Sequence, residues 1–437
     1  MQSVSIITNC RRLVFFSLVL SAVNNNALAQ ENSPYSRYGL GDILPGQNIV
    51  NRAMGGISAT YYDPVTVNFT NPASYARLKY TTFDVGLDYT GRTLRAVDPV
   101  RTLRSGYIIP SYIQVGFPLA KKRNWGMNIG IRPVTRISYQ LQQNERLPGI
   151  DSVQTNYTGD GGLYQTYVGT GFGSKHFTAG FNFGYAFGSK NYVTQRSLVN
   201  DTVFYERGKW ADSTHFGGVF LHGGVQYSTH ISKSVLLKLG AFAQLKSNLN
   251  ATRDIRRETY VVNSTYGEIM KDSVYFSTDD KGKIIMPASY GAAISIEKEL
   301  AWSVSAEYNI AQWADYRYYD TKDDVKNTWV FRLGTSFIPN YKSNSYWGQV
   351  QYRAGFYVGP DYVTVNKNLP TYAVTFGASF PVRKYGYSLY TGQYTSINTA
   401  FEIGARGNKS NSLRESFYRI AVGLSLSDIW FIKRTYQ

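Results

Sequence analysis

The sequence predicts an all-β protein, a transmembrane antiparallel β-barrel of about fourteen strands with an amino-terminal plug. Three observations support this fold class: a leader for export, period-two alternation along many segments, and no later apolar run long enough for a transmembrane helix. The composition agrees, since 15% of the 437 residues are aromatic, 17% are charged and 40 are glycine. Soluble domains carry about 25% charged residues, and this balance favours β-structure.

The first 29 residues are predicted to be a secretory signal peptide. Arg11 and Arg12 precede an apolar stretch over residues 13–23, and an Ala-Leu-Ala cleavage signal follows at 27–29. The apolar stretch is too short to cross a membrane as a helix. Cys10, the single cysteine, lies inside this leader, so we expect a mature chain without disulfides, thiol chemistry or a lipid anchor.

Alternation of apolar with small polar residues distinguishes a membrane wall from a soluble sandwich. From Phe177 to Gly188 the odd positions are Phe, Ala or Tyr, whereas the even positions are Thr, Gly, Asn or Ala. A soluble β-sandwich also alternates, but its second face would be rich in Lys and Glu. Aromatic residues near the ends of the runs are predicted to form interfacial girdles: Trp125, Tyr139, Trp302 and Trp313.

Fourteen segments fit this pattern, and short and long connections alternate between them. The candidate strands are residues 80–91, 107–117, 125–139, 162–173, 177–196, 214–230, 235–249, 284–297, 301–316, 328–338, 346–359, 371–381, 395–406 and 416–427. The long connections, at 140–161, 197–213 and 250–283, are predicted to be outer loops. The barrel is therefore assigned to residues 80–427, followed by a short periplasmic tail at 428–437.

Residues 30–79 do not alternate and are predicted to form a plug, or hatch, inside the barrel. Glycines and prolines throughout this stretch imply tight, irregular turns: Gly39, Gly41, Gly46, Gly55 and Gly56, with Pro34, Pro45, Pro64 and Pro72. A barrel of about fourteen strands encloses a lumen that wall side chains alone need not fill. Such a segment is longer than a barrel needs, so the lumen is its expected place.

Short motifs in this region carry a family resemblance. They are Arg52-Ala53-Met54-Gly55-Gly56, Asp63, Asn71-Pro72-Ala73 and Thr82-Phe83-Asp84-Val85-Gly86. Together they resemble the start of the FadL/TodX family of outer-membrane transporters of hydrophobic compounds. The resemblance implies a hatch closed by Asn71, Pro72 and Ala73, and we expect Gly55 and Gly56 to be its hinge. The ending, residues 417–434, resembles a Bacteroidetes branch related to PorV-like barrels.

The resemblance also implies a lateral exit through a gap at the third strand. That strand contains Gly130-Ile131-Arg132-Pro133, and proline donates no hydrogen bond to a β-ladder. Its alternation places Pro133 on the lipid side, so Gly130 and Pro133 are the candidates for a lateral opening. An ordinary bulge is the alternative, because Pro110 and Pro287 also lie in predicted strands.

The same alternation directs more basic than acidic side chains into the lumen. The inward positions are Arg132, Arg136, Lys238, Arg332, Arg353, Arg406 and Arg419, against Asp84, Asp88, Glu297, Glu307 and Glu402. Arg132 and Arg136 are the candidates to bind a carboxylate headgroup, because cations in a low-dielectric channel attract anions. Alternatively, these charges pair with one another and with the plug, as buried charges usually do.

No residue pattern typical of an enzyme stands out. The chain has neither a Gly-x-Ser-x-Gly elbow nor a His-Glu-x-x-His motif. His215 and His222 are seven positions apart on one predicted strand, so they face opposite sides and cannot share a metal. We therefore predict no catalytic residue, no metal, no cofactor and no nucleic-acid partner.

The predicted function is passive uptake of hydrophobic molecules, such as long-chain fatty acids, across a Gram-negative outer membrane. The expected partners are membrane lipid, lipopolysaccharide and a hydrophobic small molecule. The alternative is a PorV-like barrel that holds cargo in type IX secretion and contacts the secretion machinery. Both functions would use this fold, so the sequence leaves them open.

Overall fold

In a computed structural model, described for residues 32–97, 100–120, 123–146, 152–199, 205–365, 367–382 and 394–429, the chain forms a closed antiparallel barrel. The predicted fourteen-stranded wall is confirmed. The predicted signal peptide, and the predicted tail from residue 430 onward, lie outside the described residues. None of the helices in the described part of the chain is long and apolar enough to cross a membrane.

The wall strands follow one another around the barrel in chain order. A two-residue strand, β1 (Asp42–Ile43), precedes them. The others are β2 (Thr81–Ala96), β3 (Arg101–Ala120), β4 (Trp125–Arg146), β5 (Ser152–Gly173), β6 (Phe177–Val199), β7 (Arg207–Ser232), β8 (Val235–Gln244), β9 (Ser247–Asn263), β10 (Gly267–Met286), β11 (Ser289–Lys298), β12 (Trp302–Ala311), β13 (Arg317–Tyr318), β14 (Thr328–Phe337), β15 (Gln351–Val365), β16 (Lys367–Pro381), β17 (Tyr394–Arg406) and β18 (Leu413–Asp428).

Two wall strands are interrupted, which reconciles these elements with a count of fourteen. β8 and β9 form one strand broken at residues 245–246, and β10 and β11 form another broken at 287–288. β13 is a short side strand that pairs with β10. β18 pairs with β2 over its whole length and closes the barrel.

The helices are short and lie outside the wall ladder. Two are α-helical, α1 (Ile49–Arg52) and α2 (Tyr346–Gln349), and three are 3-10 helices, Pro34–Arg37, Pro72–Arg77 and Trp313–Asp315. The fourth predicted strand from the end, 346–359, is therefore wrong at its start. Residues 346–349 form α2, and strand structure begins at Gln351.

Exposure follows the predicted alternation in the central band of the wall. On β6, Phe181, Phe183 and Tyr185 are exposed, whereas Thr178 and Asn182 are buried. The exposed members are large and apolar, and the buried members are polar. This is the arrangement that a lipid-facing wall requires, since the outer face meets hydrocarbon and the inner face meets polar groups.

Two predictions about the ends of the strands are wrong. Residues 140–161 and 250–283, predicted as loops, are largely the extended β4–β5 and β9–β10 hairpins. Backbone pairing continues there after the alternation stops, because beyond the membrane both faces of a strand meet water. Trp313 and Tyr139, predicted in the girdles, are only 6% and 5% exposed. Trp313 packs against Tyr362, with ring centroids 4.4 Å apart.

Candidate site in the lumen and at the β3–β4 seam

The wall is incomplete between its second and third strands. β3 and β4 pair only from Ile113 opposite Ile131 to Ala120 opposite Trp125. Toward the long hairpins, β3 continues along β2 as far as Arg101, and β4 continues along β5. The two strands therefore separate, and each would leave a row of backbone N–H and C=O groups without a partner.

The amino-terminal segment occupies this separation on the β4 side. β1 pairs with β4, with Asp42 opposite Arg136 and Ile43 opposite Thr135. The N–H of Leu44 donates to the carbonyl of Val134 at 3.0 Å. The free edge of β4 thereby gains backbone partners from a part of the chain that is not a wall strand.

The same segment contacts β3 on the other side. Leu44 packs in a buried apolar cluster with Tyr107 and Ile109, both on β3. The hydroxyl of Ser105 donates to the carbonyl of Asn32 at 3.3 Å. Ile43 remains 43% exposed between the two strands. Residues 32–44 thus bridge the separation, and we call them the seam segment.

Gly130 and Pro133 lie where β4 leaves β3. The register of β4 against β5 shifts between Pro133 and Thr135, so the predicted alternative of a bulge is present at this position. A Cβ at Gly130 would lie 2.6 Å from the hydroxyl of Tyr167, so a larger residue there would have to displace that side chain. A lateral opening at these residues stays a prediction.

The two candidate headgroup arginines lie on opposite sides of the bulge and differ in their surroundings. Arg132, before the bulge, lines a lumenal chamber of about 330 Å³. Arg136, after it, is not among the residues that line the chamber, and its role as a headgroup ligand stays a prediction. Thr135 and Ile137 are the most buried side chains after the bulge, at 2% each, and Arg136 lies over the ring of Tyr107. One extra residue in the strand shifts the alternation on which the prediction relied.

The chamber is strongly charged. Its lining includes six arginines and four carboxylates: Arg52, Arg92, Arg132, Arg332, Arg406 and Arg419, with Asp42, Asp361, Glu402 and Glu415. Arg332 was among the predicted inward residues but was not singled out as a site residue. Several wall charges pair with one another or with the amino-terminal segment, as the alternative interpretation held.

Asp42 of the seam segment is the centre of one such ion-pair network. Its carboxylate lies 2.6 Å from Arg92 and 2.8 Å from Arg406, and Arg406 also lies 2.8 Å from Asp361. Burial alone would raise the pKa of Asp42, but the two guanidinium groups outweigh it and hold the pKa well below its usual range. Arg52, on α1, pairs in the same way with Asp88.

Arg132 and Arg332 differ from the other chamber arginines. Arg132 donates to the carbonyl of Gly46 at 3.1 Å and to the side chain of Gln165 at 3.0 Å. Arg332 donates to the carbonyl of Gly55 at 2.8 Å. Among the described residues neither forms an ion pair with a carboxylate. Their charges are thus held by neutral oxygens and remain available to an anion.

Asn71, Pro72 and Ala73 come together against the inner side of the wall at β5, β6 and β7. The side-chain amide of Asn71 donates to the carbonyls of Ala59, at 2.6 Å, and Val225, at 3.2 Å, and its oxygen accepts from the N–H of Ala73. Asn71 thereby caps the helix Pro72–Arg77.

Wall glycines allow this close approach. A Cβ at Gly171 or Gly180 would lie 2.4 or 2.5 Å from the carbonyl of Pro72, and one at Gly224 would lie 2.1 Å from Asn71. Gly169 and Gly171 of β5 are therefore a docking surface for this helix, since a Cβ at Gly169 would also lie 2.8 Å from the ring of Tyr75.

Gly55 and Gly56 form a left-handed turn against the opposite part of the wall, with φ of +69° and +87°. The N–H of Gly55 donates to the hydroxyl of Thr375 at 2.8 Å. A Cβ at Gly55 would lie 2.7 Å from the carbonyl of Leu333. Both conformation and contact therefore require glycine here. The role of this pair as a hinge stays a prediction.

With this geometry in view, comparison with known proteins identifies the family. A family model described as BamG matches residues 10–437. The chain belongs to the BamG family. No curated protein matches it. Its membership of a Bacteroidetes or PorV-like branch stays a prediction.

Solved structures similar to this BamG-family chain include several barrels. The Pseudomonas putida toluene transporter TodX has 17% identity and a TM-score of 0.58, covering 89% of this chain and 100% of its own. The CymD monoaromatic hydrocarbon channel has 14% identity and a TM-score of 0.55, covering 88% and 98%. A Pseudomonas aeruginosa FadL homologue has 10% identity and a TM-score of 0.58, covering 90% and 100%. The predicted FadL/TodX resemblance is confirmed for the fold.

Proposed function

We propose that this protein is an outer-membrane channel for passive uptake of hydrophobic molecules such as long-chain fatty acids. In this proposal residues 30–79 are the plug of the barrel 80–427. One observation carries it: the charged chamber reaches the seam segment, whose Ile43 and Leu44 line it together with Val134 of β4. A charged site inside the lumen therefore adjoins the place where the wall lacks strand pairing.

This arrangement suits an amphipathic substrate better than a fully apolar one. A carboxylate headgroup would be attracted to Arg132 and Arg332, because neither is neutralised by a described carboxylate. The hydrocarbon tail would lie toward Leu44, Tyr107 and Ile109, the apolar cluster at the seam. Moving the seam segment away would open a sideways path from the chamber into the lipid.

The two ends of the plug would play different parts in this mechanism. The seam segment makes few backbone hydrogen bonds to β4, and its β1 is only two residues long. In contrast, Asn71 and Tyr75 are fully buried, and the side-chain amide of Asn71 reaches the wall carbonyl of Val225. In this proposal the seam segment moves by breaking its short backbone pairing together with the buried ion pairs of Asp42, while the helix Pro72–Arg77 stays in place.

A transport assay with paired substrates tests this function. Full-length mature protein in liposomes would be supplied with a fluorescent fatty acid or with the fatty alcohol of the same length. We expect Arg132→Ala with Arg332→Ala to slow acid uptake by about tenfold, the scale of one lost charge-assisted contact, and to spare the alcohol. Arg256→Ala, on the exposed β9–β10 hairpin, is the matched control. Unchanged acid uptake in the double variant would contradict the headgroup site.

A second candidate function is the holding of a partner protein, as in the PorV-like alternative. The β9–β10 hairpin supports it, because Ile269, Met270, Val274, Tyr275 and Phe276 are exposed there, and such patches mark interaction surfaces. Cross-linking in cells would test it. A partner captured by the wild type and lost with Val274→Asp would favour this role, whereas identical patterns would argue against it.

A further inference from the structure

The lipid-facing wall has a depression on the side of the barrel formed by β7, β8, β11 and β12. Its volume is about 490 Å³. Four small residues form its outward floor, Gly223, Ala241, Ala243 and Ala292. Most other outward positions of the central band carry Phe, Leu, Ile, Val or Tyr, and outward alanines such as Ala306 and Ala354 stand singly between bulky neighbours. The depression is therefore a local loss of side-chain volume in an otherwise bulky surface.

Strand register explains its shape. One row of cross-strand neighbours runs Val225, Ala241, Ala292 and Tyr308, and the next runs Gly223, Ala243, Tyr290 and Ile310. The four bulky members of these rows are 41–45% exposed and form the rim. The row toward the short turns contains Leu239 and Ile294, which close that end. The result is an elongated apolar groove with an aromatic edge.

The groove lies near the end of the membrane-spanning strands that faces the long hairpins. β11 begins at Ser289 and β12 ends at Ala311, immediately beyond the groove. The break between β8 and β9 lies at the same level and presents Leu245, 49% exposed, and then Lys246. The Nζ of Lys246 is 3.9 Å from the carboxylate of Asp315, and both side chains are half exposed. Such an exposed ion pair is weak, so the Lys246 ammonium can also interact with another anion.

We propose that this groove holds one acyl chain of lipopolysaccharide, with Lys246 beside an anionic group of the same molecule. Its surroundings determine the occupant, because an apolar groove in the lipid-facing band meets hydrocarbon chains first. The long hairpins mark the outer side in barrels of this type, so the groove opens into the outer leaflet. The cation at its outer end complements a phosphate rather than a zwitterionic headgroup. This inference rests on the proposed outer-membrane location but not on transport.

Lipid retention by variants tests the inference. Detergent-purified mature protein would be incubated with lipid A, phosphatidylglycerol or phosphatidylethanolamine and examined by native mass spectrometry. Ala241→Leu with Ala292→Leu fills the groove from the lipid side, where no protein atom is displaced. Losing contact with about two methylene groups should lower lipid A retention about tenfold. Lys246→Ala should lower it about fivefold and leave phosphatidylethanolamine unchanged.

The matched control is Ala354→Leu, an exposed alanine on the β15 part of the lipid-facing wall. It should leave lipid A retention unchanged. Equal retention by the wild type and the filled-groove variant would overturn the proposal. An equal loss of lipid A retention in Ala354→Leu would also overturn it, as would tighter retention of phosphatidylglycerol than of lipid A. A wild-type dimer that the filled-groove variant fails to form would show that a second copy of the chain occupies the groove instead. Fatty-acid uptake by the filled-groove variant separates this site from the proposed channel, since we expect that rate to be unchanged.

Discussion

The two seams on either side of β2 and β3 show how differently neighbouring strands of one barrel are joined. β18 and β2 are paired without a register shift from Asp428 opposite Thr81 to Leu413 opposite Ala96. β3 and β4 are paired only near the short-turn end, and their register already shifts between Pro118 and Ala120. The strands are of similar length, so strand length does not account for the difference.

The difference shows that a barrel can leave part of its wall to a segment that is not a barrel strand. At the β18–β2 seam each edge is satisfied by the other strand. At the β3–β4 seam the edge of β4 is satisfied by β1 and Leu44 instead. A contact of a few residues can be broken at much lower cost than a long ladder, because buried backbone groups must find new partners. The following predictions use this contrast.

Cross-linking the two seams should have opposite consequences. Ile43→Cys with Thr135→Cys joins register partners in an antiparallel pair, whose Cα atoms are about 4.5–5.5 Å apart and within disulfide range. We expect the oxidised variant to lose about tenfold or more of its fatty-acid uptake, as for a locked lid. Reductant should restore it.

The matched control joins the continuous seam. Leu87→Cys with Val422→Cys also links register partners, and both side chains are exposed on the lipid-facing wall. This cross-link should leave uptake unchanged whether oxidised or reduced. If oxidation stops uptake at both seams, or at neither, the seam segment is not the gate.

Removing the charge of Asp42 should destabilise the protein strongly. Asp42→Asn leaves Arg92 and Arg406 without their shared carboxylate, and breaking a buried ion pair costs about 3–5 kcal/mol. The measurement is the temperature at which the folded band disappears in heat-modifiable electrophoresis. Glu258→Gln, on the β9–β10 hairpin, is the control and should shift it little.

The ion pairs of Asp42 with Arg92 and Arg406 also make the stability of the protein depend on pH. Because the pKa of Asp42 is lowered in the folded chain, its stabilisation is complete above the ordinary aspartate value of about 3.9 and declines as the pH falls below it. The wild type should therefore lose its advantage over Asp42→Asn on acidification. A constant difference between the two proteins down to the lowest usable pH would contradict this.

Replacing Asn71 should have a smaller effect. Asn71→Ala removes the amide donor to Ala59 and Val225 and the cap of the helix Pro72–Arg77, at a cost of about 1–3 kcal/mol. Asn71→Asp is the informative partner, since it keeps the capping oxygen but not the amide. Protease protection of the amino-terminal segment should fall in the order wild type, Asp, Ala. Equal protection would mean that Asn71 does not anchor it.

Pro133→Val should have the smallest effect of the series. The bulge at residue 134 and the seam segment both remain, so we expect fatty-acid uptake to fall by about twofold through a straighter strand. Pro110→Val is the control, because Pro110 also lies beside a bulge but β2 and β3 stay paired on both sides of it. Unchanged uptake in Pro133→Val would count against a role for this proline in the opening.

Sequence reasoning recovers the wall because its physical cause is local. A side chain that faces lipid must be apolar and its neighbour must be polar or small, so alternation in stretches such as Phe177–Gly188 is enough to locate strands. The membrane band ends where water wets both faces. Beyond that point the residues no longer alternate, so the sequence pattern does not indicate that the backbones of β9 and β10 remain paired.

The site is recovered less well because it depends on register. Arg132 lies before the bulge and lines the chamber, whereas Arg136 lies after it and is not part of that lining. A bulge adds one residue and leaves little compositional trace beyond a nearby proline. Nothing in the local sequence marks Arg332 as a site residue. Its role follows from its contact with the carbonyl of Gly55, which joins residues far apart in sequence.

The β18–β2 seam also sets an order of events during assembly. β2 is the first wall strand to be synthesised and β18 is the last, so the ring cannot shut until translation and export are nearly finished. Residues 32–78 precede all fourteen strands, so a plug formed by them, as proposed, would have to be inside when the final ladder forms. A chain that shuts with its amino terminus outside would be trapped in a long-lived wrong state, because reopening requires breaking an entire strand pairing.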